Sequence, residues 1–347
     1  MNQRVIVADL SDRALTDRIE TFVRDEGGSL FHLPAWLKAV EAGAGQRASG
    51  LVAEQMGAIT GWLPLTEVRS MLFGNALVSS GFGVGGGILA NCPSVVKVLT
   101  ESAQDHAQRL GFASFEMRGG VPPEGWRAWD DKHCNFARPL AQDDEAELLA
   151  IPRKARAEVR KGLKNGLTVR VGRDKSDLAA HYAVYSESVR NLGTPVFPKS
   201  LFSAMLNAFP ETSDILTVSR DGTPLASVLS FYHNGAVMPF WGGGTHAARG
   251  ERANELMYYE LMLHARRRDM VTFDFGRSKT GSGPFKFKKN WGFDPEPLTY
   301  CEWTVPGEKP RDIDPTSEAY SRKIDTWKRL PLPLANAIGP FLARNLA

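Results

Sequence analysis

From Leu51 to Leu65 (LVAEQMGAITGWLPL) apolar residues run in two short blocks broken at Gly57, and from Leu216 to Ser230 (LTVSRDGTPLASVLS) the same layout recurs around Gly222. Short apolar runs on either side of an x-Gly turn predict a β-hairpin in each place. Each hairpin is followed by a further apolar run that ends in a glycine triplet, Gly85 to Gly87 and Gly242 to Gly244. A helical stretch comes next, Pro93 to Leu110 and Ala253 to Asp269. Each leads into a short strand with an acid directly after phenylalanine, Phe115-Glu116 and Phe273-Asp274. The spacing from triplet to phenylalanine is nearly the same in both halves. Several coincidences in one order predict a tandem duplication of one α/β (α+β) unit: antiparallel hairpin, central strand, helix, and a return strand of parallel type.

That order resembles a GNAT-type (acyl-CoA N-acyltransferase-type) domain, whose meandering, mostly antiparallel sheet releases a helix from a splayed central strand. Two tandem GNAT-like domains with mixed sheets are therefore expected, over residues 1–145 and 146–305. The boundary is placed in Pro139 to Pro152, where an acidic run meets a proline. Pro306 to Tyr320 is rich in proline and charge, which predicts a linker. Residues 306–347 as a whole are expected to be linker and helical tail. Apolar residues with a Trp and flanking Lys/Arg residues in Trp327 to Leu346 suit either a membrane interface or packing on the body. Packing is the favoured expectation, with peripheral membrane contact as the alternative.

Bulk properties narrow the classes. A chain of 347 residues has room for two cores. A net charge of +3 means that affinity for polyanions has to come from local clusters. Cys92, Cys134 and Cys301 form no CxxC or His-spaced set, which points away from structural zinc and toward a reducing compartment. The first residues lack the layout of a secretory signal, and no apolar run approaches the ~18 residues of a membrane span. The expected location is cytoplasmic.

Familiar nucleotide motifs fail on context. Gly81, Gly83 and Gly86 match GxGxxG, but a dinucleotide site needs those glycines to open a helix directly, and Ile88 to Ala90 intervene. A CoA-binding loop of the form [RQ]xxGx[GA] would turn backbone N–H groups toward pyrophosphate. The corresponding stretch here, Thr245 to Asn254 (THAARGERAN), has a single glycine at the wrong spacing. Arg249, Arg252 and Asn254 remain candidates for holding a phosphate-bearing donor. A second basic cluster, Ile151 to Lys164, puts Arg153, Arg156, Arg160 and Lys164 on one helical side, as a phosphate-following or simply solvated face.

The densest chemistry lies in Phe273 to Phe293, FDFGRSKTGSGPFKFKKNWGF. Alternation through Val271 to Gly276 predicts a half-buried strand. Gly281, Gly283 and Pro284 break it. Lys286, Lys288 and Lys289 then alternate with Phe285, Phe287 and Trp291, which suits an anionic ligand or a solvated lysine face over an aromatic stripe. Upstream, Arg190 ends a helix before the rigid loop GTPVFP (Gly193 to Pro198).

GTPVFP, FDFGRS and FKKNWGFDPEPL, with FHLPAW near the start, resemble the Fem-type (FemAB-like) transferases over Phe31 to about Tyr300. The likeness is greatest to the branch associated with the PEP-CTERM/exosortase and exopolysaccharide systems of Gram-negative bacteria. The long coiled-coil arm of the staphylococcal members is missing. The resemblance implies transfer of an acyl or aminoacyl group to an amine of a small-molecule or lipid-linked envelope precursor. It implies no metal or bound cofactor, and aminoacyl-tRNA as the donor. Phe287-Lys288 matches the family's functional Phe-Lys, Arg190 its substrate-binding Arg, and Trp36 its first-domain substrate segment.

On this basis Lys288 is expected to stabilise the oxyanion of the tetrahedral state, held by Phe287 and Trp291. Asp274 is expected to accept the amine proton or to pair structurally with Arg277. Arg277 is also a candidate substrate contact, and Trp241 and Gly243 are expected in a turn that admits a ligand. The rival readings are acyl-CoA-dependent N-acylation of a sugar or lipid-linked saccharide, and a non-catalytic binding or scaffold module for polysaccharide export.

Overall fold

The computed structural model describes residues 3–70, 74–309 and 318–344. The chain divides into two units, one of residues 1–130, 298–315 and 341–347, the other of residues 131–297 and 316–340.

The first unit opens with β1 (Arg4–Val7), α1 (Arg13–Asp25) and α2 (Pro34–Ala44). The hairpin β2 (Ala48–Gln55) and β3 (Ala58–Val68) follows, then β4 (Ala76–Ser79), β5 (Leu89–Ala90), α3 (Pro93–Arg109), β6 (Ser114–Arg118) and β7 (Arg127–Trp129). The second unit runs β8 (His133–Pro139), α4 (Asp144–Ala150), α5 (Arg153–Lys164), β9 (Thr168–Gly172), α6 (Lys175–Leu192) and α7 (Lys199–Ala208). Its hairpin, β10 (Ser213–Arg220) and β11 (Thr223–His233), leads to β12 (Ala236–Gly244), α8 (Ala248–Glu251) and α9 (Ala253–Arg267). Then come β13 (Thr272–Asp274), β14 (Ser278–Lys279), α10 (Gly283–Asn290) and β15 (Pro295–Pro297). The chain ends in β16 (Tyr300–Thr304), α11 (Glu318–Arg329) and α12 (Leu332–Ala343).

The duplication is present down to its turns. Met56-Gly57 and Asp221-Gly222 both take positive φ at two successive residues, the backbone of a type I′ turn whose twist suits a two-residue hairpin. Each hairpin slips register at the same distance from its turn, between Ala53 and Glu54 and between Val218 and Ser219. A third strand pairs antiparallel with each hairpin. A helix then intervenes, and the next strand runs parallel to the third: β6 along β4, β13 along β12. α3 buries Val95, Leu99, Ala103 and Ala107, a four-residue repeat that lays one narrow face on the sheet. α9 buries Leu256, Met257, Leu261, Met262 and Leu263, and it sits in the main apolar core of its unit.

The sheets read β1-β2-β3-β4-β6-β16-β7 and β14-β8-β13-β12-β11-β10-β9. The expected boundaries need correction on this point. β8 precedes the expected break at Pro139 to Pro152, yet it pairs with β13 of the second sheet. β16 was expected in the second domain, yet it pairs with β6 and β7 of the first. Hydrogen-bonding partners decide this, and a strand's partner is not written in its own pattern. The linker expected at Pro306 to Tyr320 lies largely outside the described residues. The tail is helical, with α11 against α6. No helix among the described residues is long and apolar enough to cross a membrane.

Candidate active site

In the second unit the two parallel strands share only two residue pairs, Ala236 with Thr272 and Val237 with Phe273. β13 ends one residue later at Asp274, while β12 continues to Gly244 paired with β11 alone. A bulge at Phe240, where Leu229 faces Trp241 and Ser230 faces Pro239, bends β12 at this point. Strand ends that stop pairing leave backbone groups open to another partner, and the candidate site is built around this end of the sheet.

Asp274 closes β13. Its carboxylate accepts from the Asn135 side-chain amide at 3.0 Å and from the Gly276 N–H at 3.0 Å. Burial pushes its pKa up, against those hydrogen bonds and the nearby Lys288. Gly276, at φ 73°, turns the chain so that its N–H folds back to the carboxylate.

Lys288 comes from α10. Ser282 caps that helix, its Oγ accepting from the Phe285 N–H, and Pro284 fits the first turn, where its missing N–H is not needed. Of the three lysines, Lys286 and Lys289 are exposed and Lys288 is 8% exposed. Its Nζ donates to the carbonyls of Gly276 at 2.9 Å and Arg277 at 3.1 Å. It lies 5.5 and 5.4 Å from the ring centres of Phe136 and Phe275. Burial lowers its pKa to about 7, with Asp274 acting in the opposite direction and Arg277 in the same one. The structure therefore gives Lys288 a different posture from the expected oxyanion contact. Two of its hydrogens hold the turn that follows Asp274, and its charge is coupled to that carboxylate.

Phe287 and Trp291 join Tyr258 and Phe275 in one aromatic cluster, with Tyr258 4.7 Å from Phe275 and Phe287 5.7 Å from Trp291. Trp291 is a core residue at 1% exposure, so it supports Phe287 and does not meet a ligand. Tyr258 reaches β12. A Cβ on Gly242 would come within 3.2 Å of its hydroxyl. Burial raises the Tyr258 phenol to about 12, so it stays protonated at neutral pH.

The glycine triplet is a strand, not the expected turn, and its alternating faces meet two helices. Gly243 lies against Ser188 of α6, while Gly244 lies against Asn254 of α9. Protein atoms fill both places where a ligand was expected to approach. Trp241, also buried, packs on Phe202 at 5.1 Å.

Other expected contacts are drawn into the scaffold. Arg252, in the left-handed region at φ 60°, pairs with Glu158 of α5. Arg249 is exposed. The side-chain oxygen of Asn254 is buried without a hydrogen-bond partner beside Gly244. Arg190 donates to the Lys328 carbonyl at 3.2 Å, which ties α6 to α11. Trp36 is corrected from substrate contact to core. It is fully buried in the first unit, with Nε1 donating to the Gly81 carbonyl and its ring edge-on to Phe31. On α5, Arg153, Arg160 and Lys164 are exposed as expected of a solvated basic face, while Arg156 donates to the Leu149 carbonyl.

Sequence reasoning missed Asn135 and Tyr258. Asn135 sits on β8, outside the duplicated pattern, and Tyr258 reads as one more apolar position of α9. An open cleft of about 590 Å³ lies in the first unit, lined by Val7 to Ser11, Lys38, Glu41 and Arg47 to Ser49. None of the expected site residues lines it.

Comparison with known proteins agrees with this architecture. A family model described as an acetyltransferase (GNAT) domain matches residues 152–289. No curated protein sequence matches. Among solved structures, the crystal structure of FemX superposes with a TM-score of 0.68 at 16% identity, covering 88% of this chain and 98% of that one. A tandem GNAT protein from the clavulanic acid biosynthesis pathway gives 0.57 at 11%, covering 88% and 100%. L-PGS from Bacillus licheniformis gives 0.54 at 14%, covering 84% and 92%. The second unit thus carries a GNAT-type acyltransferase domain, and the chain has the fold of tandem GNAT proteins.

Proposed function

We propose that the protein forms an amide by moving an acyl or aminoacyl group onto an amine of a cell-envelope precursor, with aminoacyl-tRNA as donor. The observation that carries the reading is the end of β13, where a half-buried carboxylate and a buried amine lie near each other beside the stretch of β12 that pairs with β11 alone. The acceptor amine attacks the acyl carbonyl, and Asp274 takes its proton. Lys288 and Asn135 hold Asp274 and the following turn in place. The Tyr258 phenol, protonated at neutral pH, donates to the departing oxygen. Phe287 packs against Tyr258 and orders it.

The choice of donor is supported by the loop after β12. Arg252 is paired with Glu158 and Asn254 packs beside Gly244, so two of the side chains expected to hold a CoA pyrophosphate are engaged within the fold. The exposed Arg153, Arg160 and Lys164 of α5 offer a face for a polyanionic donor instead. The envelope acceptor is supported by the likeness to FemX, and by a likeness to L-PGS that suits a lipid-linked version of it. The narrower kinship with the PEP-CTERM/exosortase branch, and the cytoplasmic location that goes with it, belong to the same proposal.

Titration of the purified chain with charged tRNA, uncharged tRNA and acyl-CoAs at near-physiological salt tests this. Saturable binding that favours charged tRNA is expected. Asp274→Asn is expected to leave that binding intact while slowing single-turnover transfer to an amine by roughly 10²- to 10⁴-fold. Binding of acyl-CoA alone overturns the donor, and binding of neither overturns the activity.

A further inference from the structure

α12 is packed inside out. Its buried positions are small, Ala335 at 2% exposure and Ala343 at 0%, with Gly339 between them so close to Val196 that a Cβ would come within 3.0 Å of the Val196 nitrogen. These three recur every four residues and form one face. Leu332 and Leu342 are half-buried beside that face, while three large apolar residues lie on the other: Leu334 is 46% exposed, Ile338 39% and Phe341 65%. They are spaced i, i+4 and i+7, the stripe that an amphipathic helix normally turns into a core. Burying large apolar side chains drives folding, so a helix that buries alanine and glycine while presenting Leu334, Ile338 and Phe341 leaves a stripe suited to a second apolar phase.

Charge decides which phase. No Asp or Glu occurs from Thr326 to Arg344. Lys328 and Arg329 stand just before the helix and Arg344 just after it, with the Arg344 guanidinium 5.6 Å over the Phe341 ring. Lys328 shares an exposed ion pair with Asp325, and Arg329, one turn after the same acid, is exposed. A short apolar stripe with cations at both ends fits a surface that is apolar within and anionic at its rim. With cations at both ends and only 12 residues, the helix lies along such a surface and does not span it.

We propose that α12 docks the protein onto an anionic lipid surface. Leu334, Ile338 and Phe341 enter the acyl boundary, and Lys328, Arg329 and Arg344 sit at the level of the headgroups. This is independent of the acyl donor, and it would hold the enzyme where lipid-linked acceptors are found.

Co-sedimentation of the full chain with phosphatidylcholine vesicles, with and without phosphatidylglycerol, tests the proposal. Binding only to the phosphatidylglycerol vesicles, weakening as salt rises, is expected. Leu334→Ser, Ile338→Ser and Phe341→Ser together should reduce affinity at least about tenfold while leaving the thermal transition in place, because all three side chains are already exposed. Arg329→Gln and Arg344→Gln should each cost about fivefold. Absence of vesicle binding, or binding untouched by the triple substitution, overturns the proposal. So does a concentration-dependent dimer that the triple substitution abolishes, which would make a second copy of the chain the occupant.

Discussion

A lysine that is buried and held near neutrality leaves a mark on stability as well as on chemistry. The Lys288 amine has a pKa of about 7 in the folded chain and 10.5 as its ordinary value, burial being the main cause. Between those values the unfolded chain carries the extra proton, so stability rises with pH across that window. Lys288→Met removes the titration. The stability of the natural chain relative to this variant should therefore increase from pH 7.5 to pH 10, by about 3 kcal/mol. Chemical denaturation of both proteins at several pH values measures it, and a difference that stays flat or falls would show that Lys288 is not held neutral by burial. The sequence marked Lys288 and Asp274 because lysines alternate with aromatics directly after a strand that ends in an acid. It was silent on what the lysine holds, because backbone carbonyls carry no residue identity. Trp36 shows the opposite failure, since a tryptophan in an expected substrate segment has the same letter whether its ring faces a ligand or the Gly81 carbonyl.

At the scale of elements, β12 explains its own composition. Gly243 faces α6, and a Cβ there would lie 2.6 Å from the Cβ of Ser188. Neither atom has a rotamer to escape into, so Gly243→Ala should destabilise the protein by about 1–3 kcal/mol. Ser188→Gly removes the opposing Cβ, and the double variant should recover most of that loss despite the weak helix propensity of glycine. Thermal melts of the two single variants and the double variant form the cycle. Additive losses would mean that Gly243 matters for some reason other than the approach of α6. The hairpins were readable because Gly57 and Gly222 satisfy a turn that demands positive φ, a requirement met within four residues. The triplet was misread as a turn because glycine also marks places where another element comes close, and the two uses look alike until the neighbour is known.

At the scale of the molecule, each sheet is completed by a strand that follows the other unit's share of the chain. β8 comes after β7 of the first unit but pairs with β13, β14 and β15, and β16 comes after the second unit but pairs with β6 and β7. Periodicity identifies such segments as strands and leaves the partner open, which is why the expected domain ends fell in the wrong places. The exchange has an energetic consequence. Cys301 on β16 is 1% exposed and belongs to the first unit's core, with Trp303 packed against that core. Without β16 the whole inner edge of β6 loses its hydrogen-bonding partner, and an unpaired central edge is both unstable and prone to wrong pairing. Two truncated chains isolate the effect, one ending at Pro297 and one at Lys309, since both lack α11 and α12 and differ in β16. The longer chain should give a protected first unit in amide hydrogen exchange. In the shorter one, β6 and β4 should exchange freely while β10 to β12, whose partners are all retained, stay protected. Equal protection of β6 in both chains would mean that the first sheet closes without the borrowed strand.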